Sequence, residues 1–198
     1  MKKIEKILIG THNKGKFKEI SDLLPNYIEK ISPLELDIES PEENGKTFLE
    51  NSQIKANFFC KKSNLITLSD DSGIEIDDLN GEPGIYSARW EKKFGSFEKA
   101  MLEILKKLKN LNKKNSTAKF VSSLTIQWPG GKSISEVGII EGKITSMKGQ
   151  NGFGYDPIFI PEGYTKTFAE MEYKDKLAID HRYLSYKKLE KKIKDYFL

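Results

Sequence analysis

The chain has 198 residues, 33 Lys plus Arg against 29 Asp plus Glu, and one Cys, which suits one ordinary domain or two small lobes sharing a core. Hydrophobic residues make up 37%, charged residues 31% and aromatics 11%, so disordered and collagen-like classes are excluded. The net charge of +4 hints modestly at anionic ligands, while lone Cys60 excludes an internal disulfide framework and a Cys-based zinc site.

The basic start Met1-Lys2-Lys3 is followed only by Ile7-Leu8-Ile9 before Gly10, too little for a signal-peptide core. No apolar run approaches the ~18 residues of a membrane span, so a soluble cytoplasmic protein is expected. Lys6 to Gly10 reads as a buried strand, and Thr11 to Gly15 as a loop. A helix through Phe17, Ile20, Leu23 and Leu24 follows, stopped by Pro25. Tyr27 to Ser32 reads as a second strand and Thr47 to Lys62 as a helix carrying Cys60 as a buried thiol. Leu65 to Leu68 is expected to be a strand, turning at Asp71-Ser72-Gly73 into a returning strand, Ile74 to Ile76. Gly81 to Gly84 reads as a loop. From Ser96 to about Lys109 the spacing of Phe97, Ala100, Met101, Ile104, Leu105 and Leu108 predicts a helix that Ser96 caps. Phe120 to Trp128 and Ser133 to Ile140 flank Pro129-Gly130-Gly131 as a hairpin. A Gly-rich loop, Gly149 to Asp156, precedes a strand from Pro157 to Ile160, and Tyr186, Leu189, Ile193 and Tyr196 mark a last helix. The pattern predicts an α/β protein with both parallel and antiparallel pairing, and no linker long enough to separate independent domains.

Of the 33 cations, only Arg89 and Arg182 are Arg, and the two His are His12 and His181. His181-Arg182 therefore joins two scarce side chains, one of them a planar, permanently charged fork. Four constellations carry possible chemistry, and each also suits a plain structural role. Gly10 to Lys16 is a strand-loop-helix passage whose backbone N–H groups and Lys16 suit phosphate. It also matches the P-loop spacing, but Phe17 stands where Ser or Thr would reach Mg²⁺. Asp70 and Asp71, with distant Glu43, can hold Mg²⁺ through oxygen, and one carboxylate could accept a proton from water; an Asp-rich turn gives the same string. Gly149 to Pro157 offers close backbone approach with Phe153 or Tyr155 stacking on a base, or a tight turn with its aromatics in the core. Lys176 with His181-Arg182 can bind a base edge or phosphate, or be solvated surface; Asp180 would cap the helix they open.

The same segments, in order, resemble the inosine/xanthosine triphosphate pyrophosphatase family. Thr11-His12-Asn13-Lys14-Gly15-Lys16 resembles its phosphate loop, and Glu43 to Ala56 its acidic loop and first long helix. Leu68 to Gly73 and Gly81 to Arg89 are similar to its most recognisable block. Gly152 to Phe159, Lys176 and His181-Arg182 complete the set, over nearly the whole chain from Ile7 to Leu189.

The resemblance implies Mg²⁺-dependent hydrolysis of non-standard purine nucleoside triphosphates (ITP, dITP, XTP) to the monophosphate and pyrophosphate. It implies a mixed twisted sheet flanked by helices, in an elongated two-lobed single domain over residues 1–198 with a central nucleotide cleft, usually as a homodimer. The substrate-binding set would be Thr11, His12, Asn13, Lys14, Gly15, Lys16, Lys55, Ser72, Phe153, Gly154, Tyr155, Asp156, Lys176, His181 and Arg182. Thr11, Asn13, Lys16 and Lys55 would hold the triphosphate. Glu43 and Asp71 would bind metal with Asp70 close by, and Asp71 would be the proton acceptor. His12 departs from the family's usual Gly, and Asp180 from its usual Ser. Neither a membrane nor a stable nucleic-acid partner is expected, although Lys187, Lys188, Lys191, Lys192 and Lys194 crowd the last helix.

Overall fold

Apolar residues recur along this chain with strand and helix periods in alternation, and each run becomes an element of a mixed sheet with helices. The structure is a computed structural model that describes residues 3–196, so Met1 and Lys2 of the basic start lie outside it. Six strands, β1 (Lys6–Ile9), β2 (Glu29–Ile31), β3 (Thr67–Ile76), β4 (Thr117–Gln127), β5 (Ser133–Ile144) and β6 (Phe159–Pro161), form one sheet in the order β2-β1-β3-β4-β5-β6. β1 pairs parallel with β2 and β3, and β5 pairs antiparallel with β6, so both expected pairing modes are present.

Two compact units account for the chain: Met1–Asp71, Ser122–Gly138 and Arg182–Leu198 make the first, and Ser72–Val121 with Ile139–His181 the second. In the first, α1 (Lys14–Leu23) and α6 (His181–Ile193) cover one face of the strands and α2 (Phe48–Ser63) covers the other. The period-2 alternation of β1 shows this directly. Ile7 and Ile9 pack with Ile20, Leu68 and Leu189, while Leu8 turns to Phe59 on α2. α2 begins where Thr47 accepts the Glu50 N–H at 3.1 Å, one residue after the expected start, and ends at Asn64 in the left-handed region. In the second unit, α4 (Phe97–Asn110) is capped by Ser96 and buries Ala100, Met101, Ile104 and Leu108 against Ile74, Phe120 and Phe159, as its spacing predicts.

Two features depart from the sequence reading. β3 does not turn back at Asp71-Ser72-Gly73 but continues as one strand of ten residues. The polar residues that suggest a turn are instead held in mid-strand by partners described below. α3 (Ser87–Phe94) and α5 (Tyr173–Leu177) were not expected; α3 buries only Ser87 and Trp90, too few for an apolar stripe. The crowded lysines of α6 are largely engaged by the protein itself: Lys187 pairs with Glu190, Lys188 donates to the Val137 carbonyl, and Lys192 pairs with Glu136. Among the described residues no helix is long and apolar enough to cross a membrane.

Candidate active site

Successive residues of a strand point to opposite faces, so the neighbours Asp70 and Asp71 cannot serve one ion from one side. The structure gives each its own lysine. On the face of α1 and α6, Asp70 is fully buried. Its Oδ2 lies 2.8 Å from Lys16 Nζ and its Oδ1 accepts the Ser122 hydroxyl at 2.7 Å. On the α2 face, Lys55 Nζ donates to Asp71 Oδ1 at 2.8 Å and to Glu43 Oε1 at 2.6 Å. Lys55 opens from a buried turn of α2, which is why its ammonium reaches the strand.

The loop from Gly10 to Lys16 is built by close approach. A Cβ on Gly10 would stand 2.2 Å from Ser69 Oγ and 2.7 Å from Phe59, so only glycine lets β1 end against β3 there. Thr11 is buried, and its Oγ1 accepts the Asn13 N–H at 3.2 Å. Asn13 caps α1 by accepting the Lys16 N–H at 3.0 Å. Lys14 and Gly15 form the first helical residues, and Lys16 reaches inward to Asp70. His12 donates from Nε2 to the Ile38 carbonyl at 3.0 Å and meets Ser40 Oγ at 2.6 Å through Nδ1.

Burial opposes the charge on Asp70 most strongly, but Lys16, Arg182 and the Lys16 and Ser122 hydrogen bonds together hold its carboxyl well below the usual range. Burial likewise opposes the charge on Lys55, yet Asp71 and Glu43 more than offset it and keep the ammonium protonated. Burial pushes the Asp71 carboxyl up against the pull of Lys55 and Lys16, which makes it the more basic of the two aspartates. Both oxygens of Asp70 have protein donors in this arrangement, Lys16 and Ser122. A carboxylate whose folded value is depressed stabilises the fold above its ordinary value of about 4, and that stabilisation is lost as pH falls through the folded value. Asp70→Asn is therefore expected to lower unfolding free energy by on the order of 3 kcal/mol at neutral pH, and by clearly less at pH 3. Denaturant titrations at the two pH values check this; an unchanged difference would remove the depressed carboxylate as its cause.

Asp71 Oδ2 is buried with no hydrogen-bond partner, and so is Nδ2 of Asn51 on the same helix as Lys55. Asn51 Oδ1 accepts the Gly45 N–H at 2.9 Å, next to the Glu43 loop. Hard carboxylate oxygens, one of them buried and unsatisfied, suit Mg²⁺, which binds through one or two carboxylates and keeps waters and substrate phosphates as its other ligands. That economy matters, because among the described residues no three His, Cys, Asp or Glu stand together as a metal cage. Glu43 and Asp71 are the residues that would hold the ion.

Arg182, 3% exposed, donates from Nε to Glu19 Oε2 at 2.6 Å. Sequence reasoning missed Glu19 because it sits in a lysine-rich helix and its partner lies 163 positions away. Its one signal is position: Glu19 precedes buried Ile20 and stands three residues after Lys16, on the inward side of α1. Asn51 carries the equivalent signal four residues before Lys55.

The second unit holds its own group of candidate residues. Asp156 is buried and accepts the Phe153 N–H at 2.9 Å and Lys176 Nζ at 2.6 Å through Oδ2. Gly152, at φ 73°, makes room for that oxygen, since a Cβ there would lie 2.1 Å from it. The Lys176 ammonium stands 4.8 Å from the Phe153 ring centroid and 5.6 Å from that of Phe168. Half-buried Phe153 and Gly154 face outward more than Tyr155, whose ring is 2% exposed. Tyr155 packs edge-on against Phe97 and donates its hydroxyl to the Ser87 carbonyl at 2.8 Å. Its aromatic character thus serves the core, which leaves Phe153 as the more exposed aromatic of the loop. Ser72 is half-buried on β3, and His181 stacks on Phe120 at 4.8 Å.

Comparison with known proteins agrees along almost the whole chain. The sequence profile of the Ham1 family matches residues 7–192. The dITP/XTP pyrophosphatase of Rhodospirillum centenum is 41% identical over 189 residues, covering 92% of each chain. That of Bacillus cereus is 36% identical over 203 residues, covering 100% of this chain and 99% of its own. The solved HAM1 protein of Coxiella burnetii superposes with a TM-score of 0.86 at 31% identity, over 96% of this chain and 98% of that one. The Staphylococcus aureus Ham1 protein gives 0.83 at 33% identity.

Proposed function

Because the chain belongs to the Ham1 family, we propose that it hydrolyses non-standard purine nucleoside triphosphates (ITP, dITP and XTP) to the monophosphate and pyrophosphate, with Mg²⁺. The observation that carries this reading is the Glu43–Lys55–Asp71 cluster with its one buried, unsatisfied carboxylate oxygen. Water attacks the α-phosphorus, its proton passes to Asp71, and the bond from that phosphorus to the oxygen bridging to the β-phosphate breaks. Mg²⁺, when bound by Glu43 and Asp71, supplies charge neutralisation for the phosphate oxygens.

Thr11, Asn13 and the N-terminal amides of α1 hold the triphosphate, and Lys16 and Lys55 stabilise charge on the departing pyrophosphate. Lys55 is buried and Lys16 half-buried, and each ammonium is held by a carboxylate before substrate arrives. The family resemblance assigns the purine to Phe153, with Lys176, His181 and Arg182 as its polar contacts. A 6-oxo purine presents an acceptor where adenine presents a donor, so a guanidinium whose orientation Glu19 fixes disfavours adenine; guanine shares the 6-oxo acceptor, and its exclusion comes from the family reading rather than from this contact. The family reading also carries a homodimer, a cytoplasmic setting and residues 1–198 acting as one catalytic domain.

The test is a pyrophosphate-release assay with Mg²⁺ on inosine, xanthosine, guanosine and adenosine triphosphates, with orthophosphate counted in parallel. Pyrophosphate from the first two, with little from the others, is the expected result. Orthophosphate alone would mean γ-phosphate cleavage and overturn the reading.

A further inference from the structure

The stretch from Ile38 to Lys46 has no regular structure, yet it carries Glu43 and must present that carboxylate beside Asp71. Side chains of the first unit fasten it at several points. Lys55 holds Glu43, Asn51 Oδ1 accepts the Gly45 N–H, and Glu50 Oε2 accepts the Lys46 N–H at 2.6 Å. All three come from α2, and all three act on the second half of the stretch. The first half is held from elsewhere, by His12.

We propose that His12 is a positioning residue that clasps the phosphate loop to the Glu43-bearing strap, so that the two are set relative to each other before any ligand arrives. The Ile38 carbonyl can only accept, so Nε2 carries the ring proton. In the neutral ring Nδ1 is then an acceptor, and the Ser40 hydroxyl donates to it at 2.6 Å. Both ring nitrogens are therefore spent on the strap, two residues apart. On the other side His12 is bonded covalently between Thr11 and Asn13, and Asn13 sets the first turn of α1. The Phe59 ring, with centroids 6.0 Å apart, limits how far the imidazole can swing. A residue with no side chain at this position would leave Ile38 to Ser40, among the described residues, with the Ile38 N–H to Pro33 carbonyl bond and the packing of Ile38 against Leu8, Ile31 and Phe59. His12 thus acts through Glu43 and the phosphate loop, and its own ring is not needed for contact with substrate.

This inference rests on the pyrophosphatase reading for its catalytic half and on the clasp alone for its structural half, and the experiment separates them. Amide hydrogen exchange is followed in ligand-free wild type, His12→Ala, His12→Gln, Ser40→Ala and the His12→Ala/Ser40→Ala pair. Loss of one or two partly exposed hydrogen bonds should speed exchange at the hydrogen-bonded amides of the strap, Ile38 above all and then Gly45 and Lys46, about tenfold in His12→Ala, with β4 unchanged. Ser40→Ala should fall between, the pair should add little to His12→Ala, and His12→Gln, whose amide can donate to Ile38 and accept from Ser40, should recover most of the protection. In the nucleotide assay His12→Ala should raise KM about tenfold with kcat within about threefold, and His12→Gln should restore KM. Unchanged exchange in His12→Ala overturns the clasp. Faster exchange with an unchanged KM overturns its positioning role. A wild-type chain inactive on every purine triphosphate would sink the proposed activity, while the exchange series would still decide whether the clasp exists.

Discussion

Asp71→Asn is expected to lower turnover by at least about two orders of magnitude while the chain stays folded. The carboxylate is 5% exposed, with Oδ1 held by Lys55 and Oδ2 unsatisfied. An amide must keep its oxygen toward the Lys55 ammonium, because the alternative sets two donors against each other. Its NH₂ then occupies the place of Oδ2, and a donor stands where the reaction needs an acceptor for a water proton and a ligand for a cation. The fold should tolerate the change, since Glu43 remains 2.6 Å from Lys55 and keeps the ammonium paired. Steady-state kinetics on inosine triphosphate, with unfolding midpoints measured alongside, check both halves. Near-normal turnover in a folded Asp71→Asn protein would remove Asp71 from the role of base. Asp70→Asn is its internal comparison: the neighbouring carboxylate faces the other way, holds Lys16, and should show its loss chiefly in stability.

These two aspartates also show what sequence could and could not convey. The apolar runs at β1, α2 and α4 predict their elements to within a few residues, because burial against one face imposes the period that the residues display. The Asp-Asp-Ser-Gly run predicts a turn by local preference, and local preference loses here. Lys16 and Ser122 satisfy Asp70, and Lys55 holds one oxygen of Asp71, so carboxylates that would break an isolated strand are stabilised in the middle of one. Partners so far apart in the chain leave no trace in a local window. The same holds for Glu19 with Arg182 and for Asn51 with Gly45. Residue types at the candidate site could be named from the sequence, whereas the division of labour between Asp70 and Asp71 required the geometry. The Gly-rich loop teaches the converse, since its two aromatics look equivalent in sequence and the fold separates them: Tyr155 enters the core and Phe153 stays at the surface.

Asp156→Asn is expected to cost about 3–5 kcal/mol of unfolding free energy, the largest stability effect at the candidate site residues of the second unit. Lys176 is among the largest fully buried side chains, and its ammonium lies 2.6 Å from Asp156 Oδ2. That same oxygen accepts the Phe153 N–H, so one atom compensates a buried charge and fixes the backbone of the Gly-rich loop. Asparagine can place its oxygen where Oδ2 accepts both donors, but its NH₂ then replaces Oδ1 and the negative charge is gone. The charge of Lys176 then remains buried with its counter-charge gone, which costs more than the pair itself contributes. Two further variants separate charge from shape. Lys176→Met should cost less than Asp156→Asn, because it removes the cation rather than stranding it, and the Asp156→Asn/Lys176→Met pair should be more stable than Asp156→Asn alone. Urea titrations of the four proteins measure the coupling. A single Asp156→Asn variant within about 1 kcal/mol of the parent, or a pair no more stable than that variant, would mean that the ion pair is not what holds this loop. Because the Lys176 ammonium also lies against the Phe153 ring, a stranded lysine should loosen that ring. The loss should therefore reach base selection, with inosine and adenosine triphosphates handled more alike in Asp156→Asn than in the parent.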